Sequence, residues 1–458
     1  MNGIIITKGP QNWRILQQKD GYADVKLEGV ISLENTVFEY PDWHIIIRVV
    51  DEISNARILS PIKIKPDSEA WSASFRIPTG GPYRIETLFR FNHNWEKRGD
   101  RILHLGVGEV FVIAGQSNAM GVGKDNIIEE PSLDVHMFRY SGNWDIATHP
   151  LNDATASKFP LTVEGGQVGN SPWLAFAKKL NKALGYPIGL IPAAVGGIPL
   201  ANWNREENGK HFNNMLEIVK ASGSEIRGVL WYQGCNDADS GLGNTYFERF
   251  KKVVEDFEKE FYKGIPIFTV QLNKIICTKE MDEIKRAENY SEVRAAQLRA
   301  KNEIENVYIV PSIDCMVCDG IHNTSGACVV IGERVANTAL KYIYGKEVIC
   351  DSPEIIGAYK ENSNRVRLEF NNVYDCIFSD LNRTETLMFR VTDKNGKMSP
   401  ADYECNGGNT MTLIFDRDIE GEAYIDCSGY NEASLMPYDL YSYLPVIPFG
   451  KIVIVERK

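Results

Sequence analysis

The strongest constraint on this chain is a change of rhythm that starts near Gly106 and ends near Tyr344. Between those points, apolar runs of strand length alternate with longer amphipathic segments. The runs are Glu109 to Ala114, Ile188 to Ala194, Ile226 to Tyr232, Ile265 to Leu272 and Val307 to Ile313. Helical stripes fall between them: Trp173 to Leu184, His211 to Ala221, Tyr246 to Phe261, Tyr290 to Ile304 and, closing the region, Gly332 to Tyr344. Ser171-Pro172 reads as the N-cap and first-turn proline of the first stripe. Such alternation dictates an α/β core, a parallel sheet with helices on both faces.

The flanks are different. Residues 1–105 hold Val37 to Val50, Ile62 to Lys65, Trp71 to Ile77 and Tyr83 to Phe91, short β-branched and aromatic runs separated by turn formers. They are expected to form a β-sandwich-like domain. Residues 349–458 return to short strands at Val366 to Phe370, Leu387 to Val391, Met411 to Phe415 and Ile452 to Val455, a second β domain. A chain of 458 residues exceeds one ordinary core, so the division expected is 1–105, 106–348 and 349–458.

A formal net charge of -11 argues against a nucleic-acid partner and against an anionic membrane surface. The stretch Pro187 to Leu200 is broken by Pro192, Gly196, Gly197 and Pro199 and is too short to span a bilayer. Met1 to Lys8 does not read as a signal peptide, and nine scattered cysteines suit reduced thiols. A cytoplasmic location is expected, or secretion for a chain trimmed of its leader.

Ligands of open parallel sheets bind where strands end and loops turn into helices. Ser117 stands at such a place, in Ile113-Ala114-Gly115-Gln116-Ser117-Asn118-Ala119-Met120-Gly121. Gly115 permits a tight turn, and free backbone N–H groups beyond it can steady an oxyanion. Alone, such a serine reads as a turn or cap residue. His322 follows the last strand run, in Cys318-Asp319-Gly320-Ile321-His322, where Asp319 can fold back onto the imidazole. Alone, that pair reads as a surface turn. Two more segments stand at strand ends: Ala194-Val195-Gly196-Gly197-Ile198-Pro199 and Trp231-Tyr232-Gln233-Gly234-Cys235-Asn236-Asp237. Gly197 offers a backbone N–H, and Gln233 and Asn236 offer side-chain amides. Their bland readings are turn glycines and an Asx turn.

Together the four segments resemble a known family. GQSNAMG is similar to the nucleophile block of sialate O-acetylesterases and related carbohydrate acetylesterases, a branch of the SGNH hydrolases. VGGIPLANW resembles their paired-glycine block, WYQGCND their W-Y-Q-G-E block, and DGIHNTSG their D-x-x-H block. Arg294 and Gln297 match an R-x-x-Q helix of these enzymes. Gly81-Pro82-Tyr83 and Pro437 to Gly450 resemble their flanking β domains.

The resemblance implies a three-layer, flavodoxin-like SGNH core between two β domains, and hydrolysis of O-acetyl esters on sialic acid or other sugars. It makes Ser117 the nucleophile, His322 the base and Asp319 its orienting partner. The oxyanion hole would use the Ser117 and Gly197 N–H groups and an amide from Gln233 or Asn236. Gln116 and Asn118, beside the nucleophile, are the expected substrate contacts. No metal or other cofactor is implied, and the partner is an O-acetylated carbohydrate. The chain departs from the family at Ala119, inserted before the block's Met, at Ile198, where it has Thr, and at Cys235, where it has Glu. These positions bear on the substrate rather than on acyl transfer.

Competing readings are an acetyl xylan esterase of the same mechanism, an inactive glycan-binding protein, a zinc site on Cys315 and Cys318, and a Cys235 nucleophile. His44, His93, His104, His136, His149 and His211 read as ordinary surface or core residues. A small acetyl ester needs little pocket of its own, so the β domains are expected to close over one side of the cleft.

Overall fold

The computed structural model describes residues 3–32, 42–91, 95–163, 168–276, 281–379, 386–428 and 434–456. The amino-terminal part is all β: β1 (Gly3–Lys8), β2 (Ile15–Gln17), β3 (Tyr22–Ser32), β4 (His44–Asp51), β5 (Ile62–Ile64), β6 (Ala70–Pro78), β7 (Gly80–Phe91) and β8 (Trp95–Gly115). β1, β3 and β6 form one antiparallel sheet, while β5, β4, β7 and the first half of β8 form another. The alternating burial along β3, where Ala23, Val25, Leu27 and Ile31 point inward, shows why one face is apolar. The two sheets enclose a core that includes Leu27, Ile47, Trp71, Ile85 and Phe89. Residues 37–41 of the expected first run lie outside the described residues.

The elements of the central part follow in order. They are α1 (Ser117–Met120), β9 (Val135–Phe138), β10 (Trp144–Ile146), α2 (Trp173–Leu184), β11 (Ile188–Pro192), α3 (Lys210–Ser222), β12 (Gly228–Tyr232), α4 (Cys235–Asp239), α5 (Gly243–Glu260), β13 (Ile267–Val270), α6 (Met281–Glu303), β14 (Val307–Val310) and α7 (Ser325–Tyr342). The sheet runs β9-β11-β8-β12-β13-β14, all parallel, with β10 antiparallel at one edge. Val110 to Ala114 of β8 are buried throughout, as a central strand covered on both faces must be. β11 leaves β8 on one side and β12 on the other, so the chain reverses direction across the sheet at β8. That is where an open parallel sheet forms a crevice beyond its carboxyl ends.

Several expectations are corrected. The expected boundary at 105–106 falls inside one strand. β8 passes through it unbroken and only changes partners there, from β7 to β2, β11 and β12. α2 begins at Trp173 with Pro172 at its N-cap, and the buried Ser171 Oγ makes no capping bond. α7 starts at Ser325, seven residues before the stripe that announced it, because Thr324 Oγ1 accepts from Ala327 N at 3.1 Å.

The carboxyl-terminal part is an eight-stranded sheet centred on β15 (Glu354–Asn362) and β16 (Arg365–Asn371). Its core of Val366, Leu368, Phe370, Met411 and Leu413 also takes in Leu298 of α6 and Ile313, so it packs beside β14.

Candidate active site

The site grows from the turn that ends β8. Gly115 holds φ at 131°, and a Cβ there would meet the Tyr232 carbonyl oxygen at 2.2 Å. Glycine alone lets β8 and β12 approach that closely while the chain turns into α1. Gln116 N donates to that same Tyr232 oxygen at 3.0 Å, and Ser117 becomes the first residue of α1. Among the described residues no hydrogen-bond partner takes the Ser117 N–H.

His322 reaches Ser117 from the loop before α7. Its Nε2 lies 2.8 Å from Ser117 Oγ, and its Nδ1 lies 2.7 Å from Asp319 Oδ2. The other carboxylate oxygen, Oδ1, accepts the His322 backbone N–H at 3.0 Å. Burial opposes ionisation of Asp319, but hydrogen bonds from the His322 ring and backbone outweigh it and hold the carboxyl below its ordinary value. An ionised carboxylate only accepts, so Nδ1 carries the ring proton and Nε2 is left to accept from Ser117.

Asn118 locks this loop. Its Nδ2 donates to Ile321 O at 3.0 Å, and its Oδ1 accepts from Asn323 N at 3.0 Å, one residue on each side of His322. Asn323 also donates to Tyr232 OH at 3.0 Å and accepts from Asn273 at 2.6 Å. The position expected as a substrate contact thus clamps the histidine loop.

Gln116 likewise bridges two turns, its Oε1 accepting from Gly234 N at 3.0 Å and from Asn236 N at 3.4 Å. It also lines the cleft. Asn236 lines the cleft with Gly197, and its Nδ2 donates to Gly197 O at 3.1 Å. Gly197, at φ 62°, is exposed, and its N–H has no partner among the described residues.

Gln233 does not reach the cleft. It is fully buried, with Nε2 donating to Asp237 Oδ2 at 2.6 Å and to Ile198 O at 3.2 Å. Its carbonyl side accepts from Tyr246 OH at 3.0 Å. Gln297 Nε2 donates to Gln233 O, and Gln297 Oε1 accepts from Leu272 N. Arg294 Nη1 donates to Asn273 O at 3.1 Å. The R-x-x-Q helix therefore props the ends of β12 and β13 from behind. An amide in the middle of an apolar strand end gives no sequence sign of which way it points, and the neighbouring Asp237, itself buried and paired with Arg249 at 2.7 Å, decides it.

The cleft has a volume of about 400 Å³. Asp239 and Ile321 line it beside Ser117, Gly197, Asn236 and His322, and neither was a candidate from sequence. Asp239 lies three residues, just under one turn, beyond Asn236 on α4, so a helical reading of that segment would have placed it on the same face. Among the described residues, every one that lines this cavity comes from 116–322. β8 enters the core from the amino-terminal sheets, which places them at the edge of the sheet opposite Ser117.

The other chemistries find less here. Burial pushes the Cys235 thiol up to about 12, which keeps it protonated and poorly nucleophilic. Among the described residues no cluster of three or more His, Cys, Asp or Glu is placed to hold a metal ion. Among them, too, no helix is long and apolar enough to cross a membrane.

A parallel sheet with a hydrogen-bonded Ser-His-Asp chain at its carboxyl edge has the architecture of an ester hydrolase. A solved carbohydrate acetylesterase from Xanthomonas citri shares the fold, with a TM-score of 0.62 over 96% of this chain and 98% of that one at 18% identity. A probable carbohydrate esterase of Arabidopsis thaliana is 27% identical over 51% of this chain and 90% of its own length. Human sialate O-acetylesterase is 26% identical over 142 residues, which is 24% of this chain and 26% of that protein. The family of carbohydrate esterases described as sialic acid-specific acetylesterases matches residues 107–341, just over half of the chain. The protein is accordingly a carboxylic ester hydrolase acting on O-acetyl esters of carbohydrates. More narrowly, it belongs to the sialic acid-specific acetylesterase family of carbohydrate esterases.

Proposed function

We propose that the protein removes acetyl groups from an O-acetylated sugar, sialic acid or a related glycan, through an acetyl-Ser117 intermediate. The core is then a flavodoxin-like, three-layer SGNH hydrolase with a β unit on either side. The observation that carries this reading is the unbroken chain Ser117 Oγ, His322 Nε2, His322 Nδ1, Asp319 beside two unpartnered backbone N–H groups. Ser117 Oγ attacks the acetyl carbonyl carbon as its proton passes to His322 Nε2. The tetrahedral oxyanion is met by the N–H groups of Ser117 and Gly197, and by Asn236 Nδ2 once it turns from the Gly197 carbonyl. Collapse expels the sugar alkoxide, which takes the proton from His322. Water, deprotonated by the same nitrogen, attacks the acetyl-serine, and acetate leaves with Ser117 reprotonated. Gln233 has no part in the oxyanion hole, because its amide is already committed to Asp237 and Ile198.

The test is acetate release from a panel of O-acetylated sialic acids, acetylated xylan oligomers and an aryl acetate. Ser117→Ala is expected to lower kcat on every accepted substrate by on the order of 10⁴-fold or more. Undiminished turnover by that variant would remove Ser117 from the mechanism. No turnover of any ester by the wild type would favour a glycan-binding protein instead.

A further inference from the structure

A second cavity, of about 600 Å³, lies at the seam between the α/β core and the carboxyl-terminal sheet. It is lined by the carboxyl end of α6, the start of β14, the end of α7 and the first turns of the β15–β16 region. It shares no residue with the Ser117 cleft. Because the core strands are parallel, the start of β14 and the end of β8 lie at opposite edges of the sheet. The cavity therefore cannot be a subsite of that cleft.

Its walls combine three features. The first is a pair of lining rings, Tyr308 and Tyr342, backed from within the sheet by Phe268. Phe268, fully buried, stacks on Tyr308 at 5.4 Å and 23°, and Tyr308 stands 4.9 Å from Tyr342 at 30°. Tyr342, the outermost ring, is 46% exposed. Its hydroxyl donates to Asp351 Oδ1 at 2.6 Å, so the ring is held rather than loose. The second is a set of amides and carboxylates, some engaged with one another: Asn302 donates to Glu354 at 3.0 Å and Asn372 to Ser352 O at 3.3 Å, while Glu305, Asn306 and Asn371 line the cavity beside them. The third is Ser352, 8% exposed and lining the cavity, whose Oγ has no hydrogen-bond partner among the described residues and is itself closed to solvent. A buried hydroxyl without a partner is uncommon, and rotation of this side chain toward the cavity would let a ligand hydroxyl meet its need.

Flat aromatic rings present a face to the C–H groups of a pyranose, while amides and carboxylates bind its hydroxyls in pairs. Three of the four lining carboxylates are already paired, Glu303 with Arg299, Asp351 with Lys341 and Glu354 with Lys301, the lining cation. Among the described residues the wall offers no unpaired cation to an anionic sugar, and its near-neutral balance suits a neutral one. We propose that this seam is a second carbohydrate site, for a neutral oligosaccharide, which holds a glycan chain at the edge of the sheet opposite the esterase cleft. The assignment stands on the cavity alone and is independent of the role given to Ser117.

The full-length protein is titrated with xylohexaose and cellohexaose by calorimetry, with free sialic acid as the anionic contrast. One of the neutral hexaoses is expected to bind saturably and sialic acid not to bind at this site. Tyr342→Ala is expected to weaken that binding about tenfold or more, while Tyr342→Phe, which keeps the ring, retains it. Both variants should hydrolyse an aryl acetate at the wild-type rate, which separates this site from the reaction. Thermal melts of both variants guard against misfolding, and Ser352→Ala, a smaller change, should also weaken binding. Neutral hexaose binding unmoved by Tyr342→Ala and Ser352→Ala, or no binding of either hexaose at about 10 mM, would overturn the proposal.

Discussion

At the scale of single residues, the site divides into atoms that face the cleft and atoms that hold those atoms still. Asn118 belongs to the second group, since it grips the backbone on both sides of His322. Asn118→Ala should therefore cut kcat on an aryl acetate by about 10- to 100-fold while leaving KM nearly unchanged, because the histidine loses its aim rather than the ester its binding. Steady-state kinetics decide it, and a rise in KM with constant kcat would return Asn118 to the role of a substrate contact. Ser117 and Gly197 could be located from the sequence because each stands three residues past an apolar run that had to be a strand, and Asp319 and His322 because they form a D-x-x-H pattern in the loop after the last such run. Gln116, Asn118 and Gln233 could be located the same way but not understood. The direction of an amide is set by partners such as Asp237 and Asn323, which are distant in sequence or fixed only once the turns are packed.

Among the elements, the turn from β8 to α1 is the tightest joint. Gly115→Ala introduces a Cβ at 2.2 Å from the Tyr232 oxygen and at φ 131°. Strain of this kind costs about 1–3 kcal/mol before the clash is counted. Denaturant unfolding should show at least that loss, or the variant should fail to accumulate as soluble protein. A variant with wild-type stability and turnover would mean that the turn relaxes at little cost. The strands and helices of the core were readable because their burial is extreme: β11, β12 and Val110 to Ala114 of β8 are apolar throughout, and α2 keeps Leu174, Ala177 and Leu180 at 0% exposure. β9 and β10 were missed. Val135–Phe138 and Trp144–Ile146 are three or four residues long and carry His136 and Asp145, so no periodicity had room to show.

At the scale of the whole molecule, two histidines sit where burial disfavours their charged form. His136 sits fully buried on β9, with ring nitrogens 2.6 Å from Trp13 O and 2.7 Å from Leu133 O, tying the amino-terminal part to the core. Burial, against the pull of those two carbonyls, lowers its pKa from 6.5 to about 4. Burial does the same to His211, also to about 4. The unfolded chain takes up these protons first, so their contribution is whole above pH 6.5 and is lost as pH falls towards 4. The thermal midpoint should drop over that interval, and His136→Gln should flatten the drop. A wild-type midpoint that holds or rises from pH 6.5 to 4 would contradict this. The alternating core and the β character of its flanks were legible from the change of rhythm, but the continuity of β8 across residues 105 and 106 was not. A strand that changes partners midway looks, in sequence, like two strands with a seam. That strand has a mechanical meaning. β8 is a 21-residue beam clamped between β7 and β11, with the nucleophile mounted two residues past its far tip. The amino-terminal sheets cannot swing as a lid without bending the beam and throwing Ser117 off its mark, so any widening of the cleft for a larger glycan must come from the loops around Gly197, Asn236 and Ile321.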